Sequence, residues 1–510
     1  MVWTSMLFPT GAVDEIPNVI SRPDFFEDLN LGQVIDAITE QKQEYDLKPF
    51  FYLPLHDIEV IRYRQEIFRD LENANTLNAI KTFAEKISLV RRYLNLAQKL
   101  YYKRQQEGWF LEAAVAYCQA VSGLVGDLEG APLRSRGFLD FQTYLTTYVA
   151  SPAFRSLHEE ARALKHDLAS IKYCVIIRGN WVGVRKYESE IDYSSEVERT
   201  FEKFKQGDTK GYRIDLPILS GVSHVEAQIL DCVAKLYPDI FKRVEAYCLN
   251  HQNFVDPVIS TFDREIQFFI SYIDFMANLE AKGLNFCYPQ LTKTKSIHAK
   301  DAFDIALAHK RLSEPGLVVP NDFYLERKER IIVVSGPNQG GKTTFARMFA
   351  QLHYLASLGC PVPGTEATLF LYDQIFTHFE KEESVRNLRG KLQDDLVRIH
   401  AILEEATSES ILILNEVFTS TTLNDAIFLS KEVLKRVISL DAFCVFVTFI
   451  DELSTLSEQT VSMVSTVVPE NPALRTFKIV RRPADGLAYA ICIAEKYHLT
   501  YDLIKERIKE

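Results

Sequence analysis

Apolar and polar positions follow two rhythms along the chain. From Phe25 onward the spacing is helical. Ile58, Ile61, Phe68 and Leu71 share one helical face, with Arg62, Arg64, Glu66 and Asp70 elsewhere. Leu77, Ile80, Phe83, Ala84, Ile87, Val90 and Leu94 continue the three-four spacing. Further helical patterns cover 110–125, 138–148, 156–170 and 194–205, and a series runs over 224–282. One stretch departs from this. Ile171–Ile177 is β-rich, Gly179-Asn180 is a turn signal, and Trp181–Val184 is β-rich again, which predicts a hairpin over 171–187.

Near residue 300 the rhythm changes. Ile331–Ser335, Ile411–Leu414 and Phe443–Thr448 are short, wholly apolar runs of strand length. Thr476–Val480 and Leu487–Ile493 are read as further strands. Helical patterns at 343–358, 393–405 and 422–440 alternate with them, which predicts an α/β sheet with both faces covered. The expected organisation is multidomain: an irregular segment over 1–24, a helical domain over 25–300 with a small β insert, and an α/β domain over 301–510.

Composition agrees with long helices. Hydrophobic residues make up 47% and charged residues 25% of the 510, which excludes a disordered or collagen-like chain. Only 21 Gly and 19 Pro interrupt the elements. The net charge of −11 argues against a generic basic coat for nucleic acid. The start lacks a basic segment followed by an apolar core, and no run of about 18 apolar residues stands out, so the expectation is a cytoplasmic protein outside any membrane. The eight cysteines are scattered without a CxxC pair, which favours free thiols over zinc or a disulfide framework.

The candidate chemistry lies in one loop. Gly336-Pro337-Asn338-Gln339-Gly340-Gly341-Lys342-Thr343 fits GxxxxGK[ST], follows the strand at 331–335 and opens a helix with Thr344. Glycines let backbone N–H groups turn in around phosphate oxygens, and the helix points its positive end at the same anion. Lys342 is expected to reach the β- and γ-phosphates of ATP, and Thr343 to ligate Mg²⁺. Ile411–Leu414 then ends in Asn415-Glu416, where an acidic pair would be usual. Asn415 can accept a hydrogen bond from metal-bound water but brings no charge. Glu416 stands where a base would orient the attacking water.

These residues resemble the MutS family. The loop at 336–344 looks like that family's GPN-type phosphate loop, and Pro320-Asn321-Asp322 like its lead-in. Gly359-Cys360-Pro361-Val362-Pro363, Asp373–Thr377 and Thr448–Leu453 are similar to its later elements, as are 477–480 and 490–494. Leu53-Pro54-Leu55 and Arg62–Glu66 are similar, more loosely, to the start of its core domain. The resemblance implies an all-α core and lever joined to an ABC-type P-loop ATPase. It also implies a head-to-head homodimer with ATP and Mg²⁺ at the interface, and DNA as partner.

Departures shape the expected function. The core begins near residue 25, where a mismatch-reading domain would precede it. Phe25-Phe26-Glu27 matches the family's Phe-x-Glu wedge as a string, but its position at the start of the core marks a coincidence. No nuclease segment is expected after Glu510. The signature segment reads Gly390–Leu396 without its usual hydroxyl, leaving Arg389 or Lys391 as candidate cations. Phe449 stands in place of the switch histidine. The expected function is a slow MutS-related ATPase that binds DNA and moves helical arms by nucleotide-dependent dimer closure. The alternative is an ATP-gated scaffold with little hydrolysis and a protein or RNA partner. Trp181, Tyr187, Arg178, Arg185 and Lys186 form the most suggestive aromatic-basic mix for nucleic acid.

Overall fold

The computed structural model describes residues 3–11, 21–178, 181–189, 224–380, 390–484, 499–501 and 504–505. The hairpin turn at 179–180, the helical pattern at 194–205, Arg389, and the expected strand and helix at 487–494 lie outside the described residues. The protein is rich in helix, with mixed sheets, and divides into two compact units. Unit 1 comprises Met1–Trp3, Leu71–Arg134 and Phe138–Asp263. Unit 2 comprises Thr4–Asp70, Ser135–Gly137 and Arg264–Glu510. Neither unit is one continuous stretch of chain.

Unit 1 is built from long helices, chiefly Ala74–Lys99, Lys103–Glu129, Pro152–Ser170, His224–Leu236 and Pro238–Asn250. Asn73 caps the first of these by accepting from the Asn75 and Thr76 backbone N–H groups, and Ser151 caps the third. The core is aromatic: Phe141 stacks on Phe262 at 3.7 Å, and Phe83 meets the same ring edge-on. Among the described residues, Lys103–Glu129 is long and apolar enough to cross a membrane; half of its apolar window is buried in the protein, as in a core helix. Tyr173–Arg178 and Trp181–Lys186 form an antiparallel hairpin, and Val184 joins a small cluster with Val233, Ala234 and Phe241.

Unit 2 holds a six-stranded sheet: β1 (Ile331–Ser335), β2 (Ile375–His378), β3 (Ile411–Asn415), β4 (Phe443–Val447), β5 (Thr460–Val468) and β6 (Asn471–Arg481). Their spatial order is β2-β3-β4-β1-β5-β6, parallel throughout except for the antiparallel β5–β6 pair. Three helices matter most: α1 (Lys342–Ser357), α2 (Lys391–Glu405) and α3 (Leu423–Leu440). Alternate strand residues such as Ile331, Val333, Leu412, Leu414 and Phe446 join Ile399 of α2 and Leu434 and Val437 of α3 in one cluster. Every residue of β1, β3 and β4 is buried, as central strands covered on both faces require.

Two features differ from the sequence reading, and a third, the burial of Phe26, agrees with it. Thr460–Val468 is a long strand that pattern reading did not single out, and its partner extends over Asn471–Arg481 rather than 476–480. A second, four-stranded sheet joins Gln290–Thr292, Glu366–Phe370, Ile297–Ala302 and Asn321–Leu325. Phe26 is fully buried edge-on against Tyr52 and Tyr354, so the Phe25-Phe26-Glu27 string anchors a core rather than presenting a wedge.

Candidate nucleotide-binding site

Strand order places the candidate chemistry along one sheet edge. The segments following β3, β4 and β1 emerge side by side at the carboxyl ends of parallel strands, where α/β sheets form ligand crevices. They carry Asn415 and Glu416, then Phe449, then the loop 336–341.

Backbone geometry sets the loop. Gly341, which precedes α1, has φ +90°, a conformation that side chains disfavour. Gly340 is required for a different reason. A Cβ there would collide with the Ser465 hydroxyl, which donates to the Gly340 carbonyl at 2.7 Å. Strand β5 therefore buttresses the loop from behind. Arg475 on β6 braces it from the other side, its Nε donating to the Asn338 carbonyl at 3.1 Å.

Lys342 is 4% exposed and turned onto its own loop. Its Nζ donates to the Gly336 carbonyl at 3.0 Å and the Pro337 carbonyl at 3.2 Å, and lies 3.4 Å from Asn338 Oδ1. Glu416 Oε1 is 4.0 Å away. The ammonium also sits 4.3 Å from the centre of the Phe449 ring, a cation–π contact. Burial holds Lys342 below the usual lysine value; Glu416 opposes the shift and Arg475 adds to it.

Thr343 Oγ1 donates to Asn415 Oδ1 at 2.9 Å. This joins the first helical turn of α1 to the end of β3. Glu416 has φ +52°, and its backbone N–H donates to the Val447 carbonyl at 2.9 Å, which fixes the turn that projects its carboxylate.

These groups line a cleft of about 780 Å³ together with Leu307, Arg311, Leu317, Val319 and Phe477. Asn338 to Thr344, Glu416 and Arg475 are among the lining residues; Gly336, Pro337, Asn415 and Phe449 are not. Asn321 ties the apolar end together: its Oδ1 accepts from the Ile479 N–H at 2.7 Å, and its Nδ2 donates to the Phe477 carbonyl at 3.2 Å. Sequence reading did not assign Arg475, Phe477 or Leu317 to the site. Arg475 and Phe477 lie far along the chain from the phosphate loop, and 477–480 is marked in the sequence as a strand rather than as cleft lining.

Other candidates fall elsewhere. Lys391 pairs with Glu380 at the start of α2. His353 is fully buried on α1, with Nδ1 2.8 Å from the Phe349 carbonyl, and burial pushes it down to about 4, so it packs the core. Among the described residues no group of three or more His, Cys, Asp or Glu gathers as metal ligands.

Comparison with known proteins bears on the same region. The family model described as MutS domain V matches residues 332–508. The DNA mismatch repair protein MutS of Shouchella clausii (strain KSM-K16) is 25% identical over 281 residues. That match covers 54% of this chain and 30% of the relative, so the chain spans about a third of that protein's length.

Proposed function

We propose that this chain, similar to MutS over the matched region, is a MutS-related ATP-binding protein with slow hydrolysis, coupled to DNA. The observation that carries the reading is the hydrogen bond to Asn415 from Thr343, which lines one cleft with Lys342 and Glu416. It supports the reading because Thr343 meets Asn415 while Lys342 lies 4.0 Å from Glu416.

In this reading the backbone N–H groups of 338–344 and the positive end of α1 receive the phosphates of ATP. Lys342 leaves its loop carbonyls to meet the terminal phosphates, exchanging neutral acceptors for charged ones. A hydroxyl and an amide oxygen suit a hard cation, so Thr343 would hold Mg²⁺ directly and Asn415 through water. Bound there, Mg²⁺ would offset phosphate charge. Glu416 orients water for attack on the terminal phosphate. Phe477, Leu317 and Val319 offer apolar surface to the base. Closure of a homodimer over the nucleotide, with movement of helical arms that grip DNA, follows from the family resemblance.

A second reading is favoured by one observation. Phe449, where a polar switch residue is expected, holds the Lys342 ammonium on its ring, and Asn415 supplies no charge. Such a site binds nucleotide and turns it over little, as an ATP-gated scaffold would. ATP turnover measured with and without homoduplex, mismatched and branched DNA separates the two. Stimulation by DNA supports the ATPase reading. Binding without turnover under every condition supports the scaffold.

A further inference from the structure

We propose that the hairpin Tyr173–Arg178/Trp181–Lys186 presents a stacking platform for an unpaired nucleic-acid base, with Trp181 as the platform. The inference rests on the reading that this chain binds DNA, and specifies where and in what form.

Register defines the face. Arg178 pairs with Trp181, Ile176 with Gly183 and Cys174 with Arg185, so these six residues share one side of the two-stranded sheet. The opposite side carries Val184, packed on Val233, Ala234 and Phe241, and Lys186, whose ammonium lies 5.1 Å from the Tyr237 ring centre. Val184 and Lys186 tie the hairpin to the helical unit, while Trp181, on the other side, stays largely exposed.

Trp181 is 58% exposed, although tryptophan is among the side chains with most to gain from burial. Its six-membered ring lies over Gly183, where any Cβ would overlap the indole. Glycine in the middle of a strand weakens it, and close approach of another group is a recognised reason for one there. Here the approaching group is a flat aromatic ring, held down on one side with its other side accessible. Arg178 and Arg185 flank it on the same face.

Charge argues for the occupant. Residues 171–187 contain Lys172, Arg178, Arg185 and Lys186 and no acid, within a chain of net charge −11. Arg178 and Arg185, on the same side as the exposed indole, fit a phosphate backbone with a base to stack. Paired bases hide their faces in the duplex, so the ligand is a single strand, a fork or a bulge.

The test uses the full chain and three labelled probes: oligo(dT), a blunt duplex of equal length, and a fork with one single-stranded arm. Intrinsic fluorescence reports directly. Of the three tryptophans, Trp3 is buried and Trp109 is half-buried against Tyr93, with ring centres 5.0 Å apart. Oligo(dT) should quench the emission. Trp181→Ala should weaken oligo(dT) and fork binding by about 10-fold or more. Trp181→Phe should recover most of that loss, and neither change should alter ATP binding, which also certifies the fold. Trp181→Ala binding oligo(dT) like the parent, or binding without quenching, would overturn the platform. Duplex binding without any preference for unpaired bases would sink the platform alone. Failure to bind any of the three probes would overturn both the platform and the DNA-binding reading.

Discussion

The phosphate-type loop and the strand ends beside it differ in kind. On one side, the loop 336–341 is held by contacts that only its own residues allow: Gly340 against Ser465, Gly341 at φ +90°, Arg475 on the Asn338 carbonyl. On the other, the ends of β3 and β4 carry Asn415 and Phe449, a neutral amide and an apolar ring, with Glu416 between them in the chain. Phosphate binding needs a shaped backbone and a cation, both present. Hydrolysis needs a metal field and polar groups that follow charge as it develops, and here those are reduced. Affinity and turnover can therefore be lost separately.

Lys342→Ala should produce the biggest change. Removing the buried cation should weaken ATP by about 100-fold or more, read as Kd by equilibrium titration. An unchanged Kd would place the nucleotide elsewhere. Glu416→Gln should leave Kd near the parent and lower turnover by about 100-fold, with ATP-dependent dimer accumulating in sedimentation profiles. Undiminished turnover would remove Glu416 from its assigned role. Gly340→Ala should act on the binding side only, through the overlap with Ser465, weakening ATP by about 10-fold with proportionate loss of kcat/KM.

The smallest expected effect is in pH. Phosphate attraction needs the Lys342 ammonium, and burial lowers its pKa below the ordinary lysine value. Affinity is therefore full below that pKa and declines as pH rises through it, earlier than an ordinary lysine would allow. Across a titration from pH 7 to 10, Kd should rise by a few-fold toward the alkaline end. A flat profile would contradict the depressed value.

Legibility from sequence followed the range of the interactions. The loop 336–344 and its strand were readable because the chemistry is local: strand, turn glycines and helix are consecutive. Helices such as Ala74–Lys99 were readable from their apolar spacing. Strand Thr460–Val468 was harder. Its alternation of Thr, Ser and Val is weak, and its burial comes from pairing with β1 on one side and β6 on the other. Arg475 and Phe477 reach the cleft only through that antiparallel pair. The Lys342–Phe449 contact joins the ends of adjacent strands more than 100 residues apart, and no spacing rule connects them. The discontinuous make-up of the two units reflects the same non-local packing.

The central claim is that binding is intact while hydrolysis is held back at two positions. The most direct measurement is single-turnover cleavage of prebound ATP by Asn415→Asp/Phe449→His beside the parent, with Kd measured on both. The account predicts a Kd within about 3-fold of the parent and a cleavage rate raised by about 10-fold or more. A rate that stays level, or a gain explained wholly by tighter binding, would contradict it.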